Sequence, residues 1–129
     1  MAFMRPQAVE LGPDGKVYVA DCANHRVQVF TTEGELLRGF GTPGIATGRM
    51  SYPFDLKFDA RGRMVLLEST AHRISIWDPA SGTWKAERGS LGNGPGQLAN
   101  PRGMCLLPDG TALIADSDNH RIQRWRLPD

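Results

Sequence analysis

Residues 13–30 read P-D-G-K-V-Y-V-A-D-C-A-N-H-R-V-Q-V-F, and residues 108–125 read P-D-G-T-A-L-I-A-D-S-D-N-H-R-I-Q-R-W. The phrases run in one order: an Asp-Gly turn, an apolar run, an acid, a polar loop ending in His-Arg, and a second apolar run. Between them lies a looser copy with Arg61-Gly62 as the turn, Met64-Val65-Leu66-Leu67 as the run, Glu68 as the acid, His72-Arg73 closing the loop and I-S-I-W as the second run. Self-similarity at a fixed period decides architecture before any single residue does.

Outward from these phrases, each copy opens at a proline, Pro6, Pro53 and Pro101, spaced 47 and 48 residues apart. Short runs rich in Val, Ile, Leu, Phe and Trp, bounded by Gly, Asp, Asn or Pro, read as strands. The glycine after Asp14 and Asp109 supplies the positive φ of a tight turn. In the first two copies a further segment follows a glycine turn, L-L-R-G-F-G after Gly34 and W-K-A-E-R-G after Gly82, giving four strands per copy. Four-stranded units at this period predict propeller blades. The inner runs, such as Val17-Tyr18-Val19-Ala20, are apolar on both faces, as expected of a blade packed between two others. The expectation is an all-β partial β-propeller in one domain, 1–129, with repeats at about 6–52, 53–100 and 101–129, the last lacking its outer strand.

The phrases at 13–30 and 108–125, with the connector G-N-G-P-G-Q-L-A-N-P at 92–101, resemble NHL repeats. The resemblance implies blades of a wheel that is usually six-bladed. The middle copy departs from the pattern, with Glu68 for the usual Asp and Ala71 for the usual Asn, so the pattern leaves its loop bonding least determined. Half a wheel leaves two broad blade faces open, more apolar surface than a monomer ordinarily shows. Either the blades belong to a larger propeller, or two copies complete six blades around a two-fold axis, as a homodimer. Arg124 stands where the other blades carry Val29 and Ile76, which marks the last blade's face as partly polar.

Fifteen Lys plus Arg against fourteen Asp plus Glu leave a net charge of +1, so no bulk field draws the chain to nucleic acid or an anionic membrane. No segment approaches the ~20 apolar residues of a membrane span, and Met1 to Glu10 lacks the apolar run of a signal peptide. The compartment is left open. Cys22 and Cys105 sit at non-equivalent places in different repeats, which matches neither a disulfide framework nor a zinc site.

His25, His72 and His120 open the third strand of each blade, where equivalent positions fan apart, too far for one metal. Asp21, Glu68 and Asp116 recur once per blade beside Arg26, Arg73 and Arg121, and recurrence predicts structural use, with the carboxylate accepting loop N–H bonds or facing the arginine. In the amidating lyases that NHL-like repeats resemble, zinc-binding histidines follow the blade-opening proline; here the matching residues are Gln7, Phe54 and Arg102. Asp55 is the only acid just after such a proline, too few for the 6 to 8 oxygens typical of calcium. No metal or cofactor is expected. Gln7, Phe54, Asp55 and Arg102 are the candidate ligand-binding positions at the channel mouth. The leading expectation is a non-catalytic module binding a protein or small ligand. The alternatives are a lyase or hydrolase whose site other blades complete, and a single-stranded RNA binder, the latter suggested by twelve arginines among fifteen basic residues.

Overall fold

A computed structural model describes residues 2–129; Met1, where the one-domain reading begins, lies outside the described residues. The fold is all-β, a partial propeller of three antiparallel sheets that do not close into a barrel. Blade 1 comprises β1 (Pro6–Leu11), β2 (Val17–Asp21), β3 (Arg26–Phe30) and β4 (Leu36–Phe40). Blade 2 comprises β5 (Pro53–Phe58), β6 (Met64–Glu68), β7 (Arg73–Asp78) and β8 (Thr83–Arg88). Blade 3 comprises β9 (Gly103–Leu106), β10 (Thr111–Asp116) and β11 (Arg121–Arg126). Each sheet is a meander in chain order, because short turns join only antiparallel neighbours.

Successive blades meet at their inner strands, β1 against β5 and β5 against β9. Two apolar cores lie between them. The first joins Tyr18, Ala20, Val27 and Val29 of blade 1 to Leu56, Met64, Leu66 and Trp77 of blade 2. The second joins Val65, Leu67, Ile74 and Ile76 of blade 2 to Met104, Ala112, Ile114 and Trp125 of blade 3. Alternation along each strand therefore sends one set of side chains to the preceding blade and the other to the following one. Blade 2 alone is covered on both sides, so β6 is buried throughout and β7 in all but its last residue.

The connectors between blades plug these interfaces from above. Met50 and Leu98 are fully buried in the two cores. Each connector leaves its blade through a glycine with no room for a side chain: a Cβ on Gly41 or Gly89 would lie within 2.8 Å of the carbonyl oxygen of His25 or His72, and both glycines hold positive φ.

Candidate functional site

At one rim of the arc, the loop between the second and third strands of each blade holds the recurrent acid, histidine and arginine. The acid reaches back 17 residues to the connector: Asp21 accepts the N–H of Met4 at 2.8 Å, Glu68 that of Ser51 at 2.9 Å, and Asp116 that of Ala99 at 2.7 Å. The arginine pairs with this acid, Arg26 to Asp21 at 2.9 Å, Arg73 to Glu68 at 2.8 Å and Arg121 to Asp116 at 2.7 Å. Its remaining N–H groups take connector carbonyls: Arg73 those of Ile45 and Arg49, Arg121 those of Asn93, Gly94 and Gln97. Acid and arginine thus clamp the incoming connector to their own blade, a longer reach than fixing the loop alone.

Burial alone would raise the carboxyls of Asp21 and Asp116. Hydrogen bonds from Asn24 and the Met4 N–H in one case, and from Asn119 and the Ala99 N–H in the other, with the paired arginine, outweigh it and hold both below the usual value. Glu68, at the site where the pattern departs, accepts four hydrogen bonds as Asp21 and Asp116 do, but from a different set: Ser51 N–H, two bonds from Arg73, and the Ser75 hydroxyl at 2.6 Å. The second bond from Arg73 stands in for the asparagine donor of the other loops, and the hydroxyls of Ser51 and Thr70 bond each other beside it.

The histidines face the outgoing connector. Each closes its loop in the left-handed region, with φ of 53° to 54°. His25 Nδ1 accepts the Tyr52 N–H at 3.2 Å, and His72 Nδ1 accepts the Asn100 N–H at 3.0 Å. They are spread one to a blade, and no group of three or more metal-ligating side chains occurs among the described residues.

Gln7, Phe54 and Arg102 share a feature that sequence spacing does not reveal. The ladder slips between Pro6 and Ala8 and again between Pro53 and Asp55, so Gln7 and Phe54 are the extra residues of β-bulges. Arg102 stands just before β9 at the same place, its N–H on the Ala115 carbonyl. Bulges re-aim a side chain out of the regular pleat. Gln7 and Arg102 are exposed and Phe54 is half-buried, with the Arg102 guanidinium 5.9 Å from the Phe54 ring centroid, within cation–π range. Asp55 points elsewhere and ties two blades together: it accepts the Leu56 N–H and, across the blade boundary, the Met104 N–H at 3.0 Å.

Asp55 also touches a group that the repeat pattern gives no reason to single out. Lys57 lies 3.5 Å from Asp55 and 3.6 Å from Glu10, forming a chain of charges across the innermost strands of blades 1 and 2. Glu10, Lys57 and Cys105 occupy equivalent positions of the three repeats, and Cys105 is an exposed free thiol. A cavity of about 570 Å3 lies elsewhere, between the lower turns of blades 2 and 3. There Arg63 is paired with Asp59 and Arg124 with Asp109, so the charges lining it are largely spent on each other. We place the candidate site at the mouth, on the bulge residues and the adjoining charge chain.

Comparison with known proteins agrees with this architecture. The fold and loops define a propeller segment, and the chain carries the NHL repeat at residues 3–30 and 98–125. No curated protein matches it in sequence. Among solved structures it resembles a catalytically inactive histidine-to-alanine variant of virginiamycin B lyase from Staphylococcus aureus solved with quinupristin, at 17% identity and TM-score 0.69, over 96% of this chain and 42% of that one. It also resembles a streptogramin B lyase, at 16% identity and TM-score 0.68, over 96% and 41%. A humanized mutant of the Chaetomium thermophilum Polycomb Repressive Complex 2 aligns at 20% identity and TM-score 0.70, over 96% and 27%. The chain spans about two fifths of the length of the two lyases, and at these identities the likeness is one of fold.

Proposed function

We propose that the chain is a ligand-binding arc of a propeller whose active site, of lyase or hydrolase type, lies at the channel mouth and is completed by blades facing this arc. Gln7, Phe54 and Arg102 hold the ligand, Phe54 and Arg102 offering an aromatic face and a fixed cation. The charged chain Glu10–Lys57–Asp55, along the adjacent inner strands of blades 1 and 2, supplies carboxylates and an amine for the proton transfers that an elimination or hydrolysis needs. The observation that carries the reading is the shared bulge position of Gln7 and Phe54 at one rim, while Asp21, Asp116, Glu68 and two of the three histidines are occupied in holding connectors. The likeness to two streptogramin-type lyases along nearly the whole chain favours an enzyme over a free-standing scaffold, although one fold hosts many functions. Arg26, Arg73 and Arg121 are committed to the clamps, which counts against single-stranded RNA.

Quinupristin is the probe to use. Calorimetric titration of the chain with quinupristin should show binding that weakens at least tenfold in Phe54→Ala and in Arg102→Ala, with chromatography of the antibiotic reporting any conversion. Binding without conversion, unaffected by Lys57→Met, would favour the second reading, a non-catalytic binding module. Absence of binding at millimolar antibiotic would overturn a streptogramin-type substrate.

A further inference from the structure

The connector between blades 2 and 3 holds a chemical pair that occurs once in the chain. Of the four asparagines, Asn24, Asn93, Asn100 and Asn119, only Asn93 is followed by glycine, Gly94. A glycine in that place lacks the Cβ that would shield its backbone nitrogen from the asparagine carboxamide. The other three asparagines are protected by their surroundings. The Asn24 and Asn119 amides are held by Asp21 and Asp116, each at 2.9 Å, and Asn100 precedes Pro101, whose nitrogen carries no hydrogen. Asn93 is exposed. Its carboxamide makes no hydrogen bond among the described residues, and its backbone carbonyl is taken by Arg121 at 3.0 Å.

Two neighbours bear on this pair in opposite senses. Gln97 folds back over the glycines of the connector, so closely that a Cβ on Gly92 would lie 2.2 Å from its Oε1. Gln97 Oε1 accepts the Gly94 N–H at 3.0 Å, and the Gln97 N–H returns to the Gly94 carbonyl at 3.1 Å. The nitrogen best placed to attack the Asn93 carboxamide is thus held by its own proton. Arg121 acts on the other side of the same residue. Its guanidinium holds the carbonyls of Asn93, Gly94 and Gln97, and a cation on the Asn93 carbonyl oxygen makes that carbon more open to attack.

The connector between blades 1 and 2 has the same frame without the labile pair. Ile45 and Ala46 stand there in place of Asn93 and Gly94, and Arg49 covers Gly44 as Gln97 covers Gly92. Arg73 takes the Ile45 carbonyl at 2.7 Å, as Arg121 takes that of Asn93. The clamp is therefore built as well without asparagine or glycine at these places, and their chemistry belongs to the second connector alone.

We propose that Asn93 is a self-modifying site, at which the folded chain converts asparagine to isoaspartate under the control of Gln97 and Arg121. The Gly94 nitrogen loses its proton to solvent base and attacks the Asn93 side-chain carbonyl carbon, closing a succinimide ring. The carboxamide C–N bond breaks, and its nitrogen takes a proton from water and leaves as ammonia. Water then opens the ring. Opening at the backbone carbonyl, the one Arg121 polarises, breaks that carbon's bond to the Gly94 nitrogen and leaves an isoaspartyl linkage with a free carboxylate beside Arg121. Opening at the side-chain carbonyl gives aspartate instead. The net change is asparagine plus water to isoaspartate plus ammonia, with no oxidant, cofactor or further blade required. The new carboxylate competes with Asp116 for Arg121, so the modification falls on the clamp that holds blade 3 to its connector.

The whole chain, shown to be folded by circular dichroism, is kept for several weeks in warm, mildly alkaline buffer and then digested for peptide mass spectrometry. Asn93 should gain the mass difference between an amide and an acid, while Asn24, Asn100 and Asn119 stay unchanged. Conversion should be slower than in the free peptide of residues 90–97 and should yield a larger share of isoaspartate. Gln97→Ala should speed it about fivefold, the factor that one ordinary hydrogen bond represents, and Asn93→Gln should show none over the same period. An Asn93 that stays intact in the folded chain while the free peptide converts overturns the proposal. A folded Gln97→Ala chain that converts no faster than wild type overturns the control by Gln97, and an isoaspartate share equal to that of the peptide overturns the control by Arg121.

Discussion

Blade 2 and blade 3 are built from the same repeat, yet the same positions have opposite environments. Leu67, Ile74 and Ile76 are fully buried, while in blade 3 Ala115 is only half-buried and Ile122 and Arg124 stand at the surface. The clamps differ likewise. The Arg73 side chain is 4% exposed and that of Arg121 31%, although the acids beneath both are fully buried. What separates the blades is the presence of a neighbour. In a stacked repeat architecture, stability is a property of interfaces as much as of repeats.

The sharpest way to break this comparison is to remove the acid from each clamp. Glu68→Ala leaves the Arg73 guanidinium buried with only the longer, partly exposed contact to Glu87 at 3.4 Å, which should cost about 3 kcal/mol, the low end of the usual penalty for half a buried pair. Asp116→Ala leaves Arg121 with water on one side and three connector carbonyls still bonded, and should cost about 1 to 3 kcal/mol. Urea denaturation of both variants measures the difference, and equal losses would mean that burial does not separate the two clamps.

The next effect is apolar. Ile74→Ala opens a cavity between blades 2 and 3 and should cost about 2 to 5 kcal/mol. Ile122→Ala, the same position one repeat on, should change stability by about 0.5 kcal/mol at most.

These contrasts also mark what the sequence discloses. Strands, turns and the missing outer strand of blade 3 were legible because Asp14-Gly15, Arg61-Gly62 and the apolar runs act over a few residues. The clamp was half legible: pairing of acid with arginine follows from proximity in the chain, whereas the connector N–H lies far back. Its signal was the constant interval of 17 residues from Met4 to Asp21, Ser51 to Glu68 and Ala99 to Asp116. The bulges at Gln7 and Phe54 were hidden because register is set by the partner strand. The Glu10–Lys57 pair was hidden for another reason. Equivalent positions there hold an acid, a base and a thiol, so aligning the repeats shows variation where the fold makes a contact.

A smaller effect is set by pH. Asp21 and Asp116 are held below the ordinary carboxyl value of 3.8 in the folded chain. A depressed folded value gives stability that is complete above the unfolded value and disappears as pH falls through the folded one. Thermal denaturation should therefore show a steady midpoint down to about pH 5 and a fall beginning below about pH 4. Asp21→Asn with Asp116→Asn should start lower and fall less. A double variant with the wild-type slope would place the acid sensitivity elsewhere.

The smallest expected effect is a gain, and it tests how far one blade can be corrected from its neighbours. In blade 3, the Trp125 indole N–H donates to Gln123 Oε1 at 3.1 Å, while Gln123 Nε2 bonds Asp116. In blade 2, Trp77 donates to Ser75 in the same way. Blade 1 keeps the glutamine, with Gln28 Nε2 on Asp21 at 3.2 Å, but phenylalanine replaces tryptophan at position 30. Gln28 is 1% exposed, and its Oε1 is buried with no donor. An unmet buried acceptor is costly, and supplying its partner contributes about 0.5 to 1.5 kcal/mol. Phe30→Trp should raise stability by about that amount, because Phe30 is only partly buried and leans on Phe3 at 5.5 Å between ring centres, so the larger ring has room. Gln28→Leu separates hydrogen bonding from ring size: it should abolish the gain from Phe30→Trp, and a gain that survives it would come from packing alone.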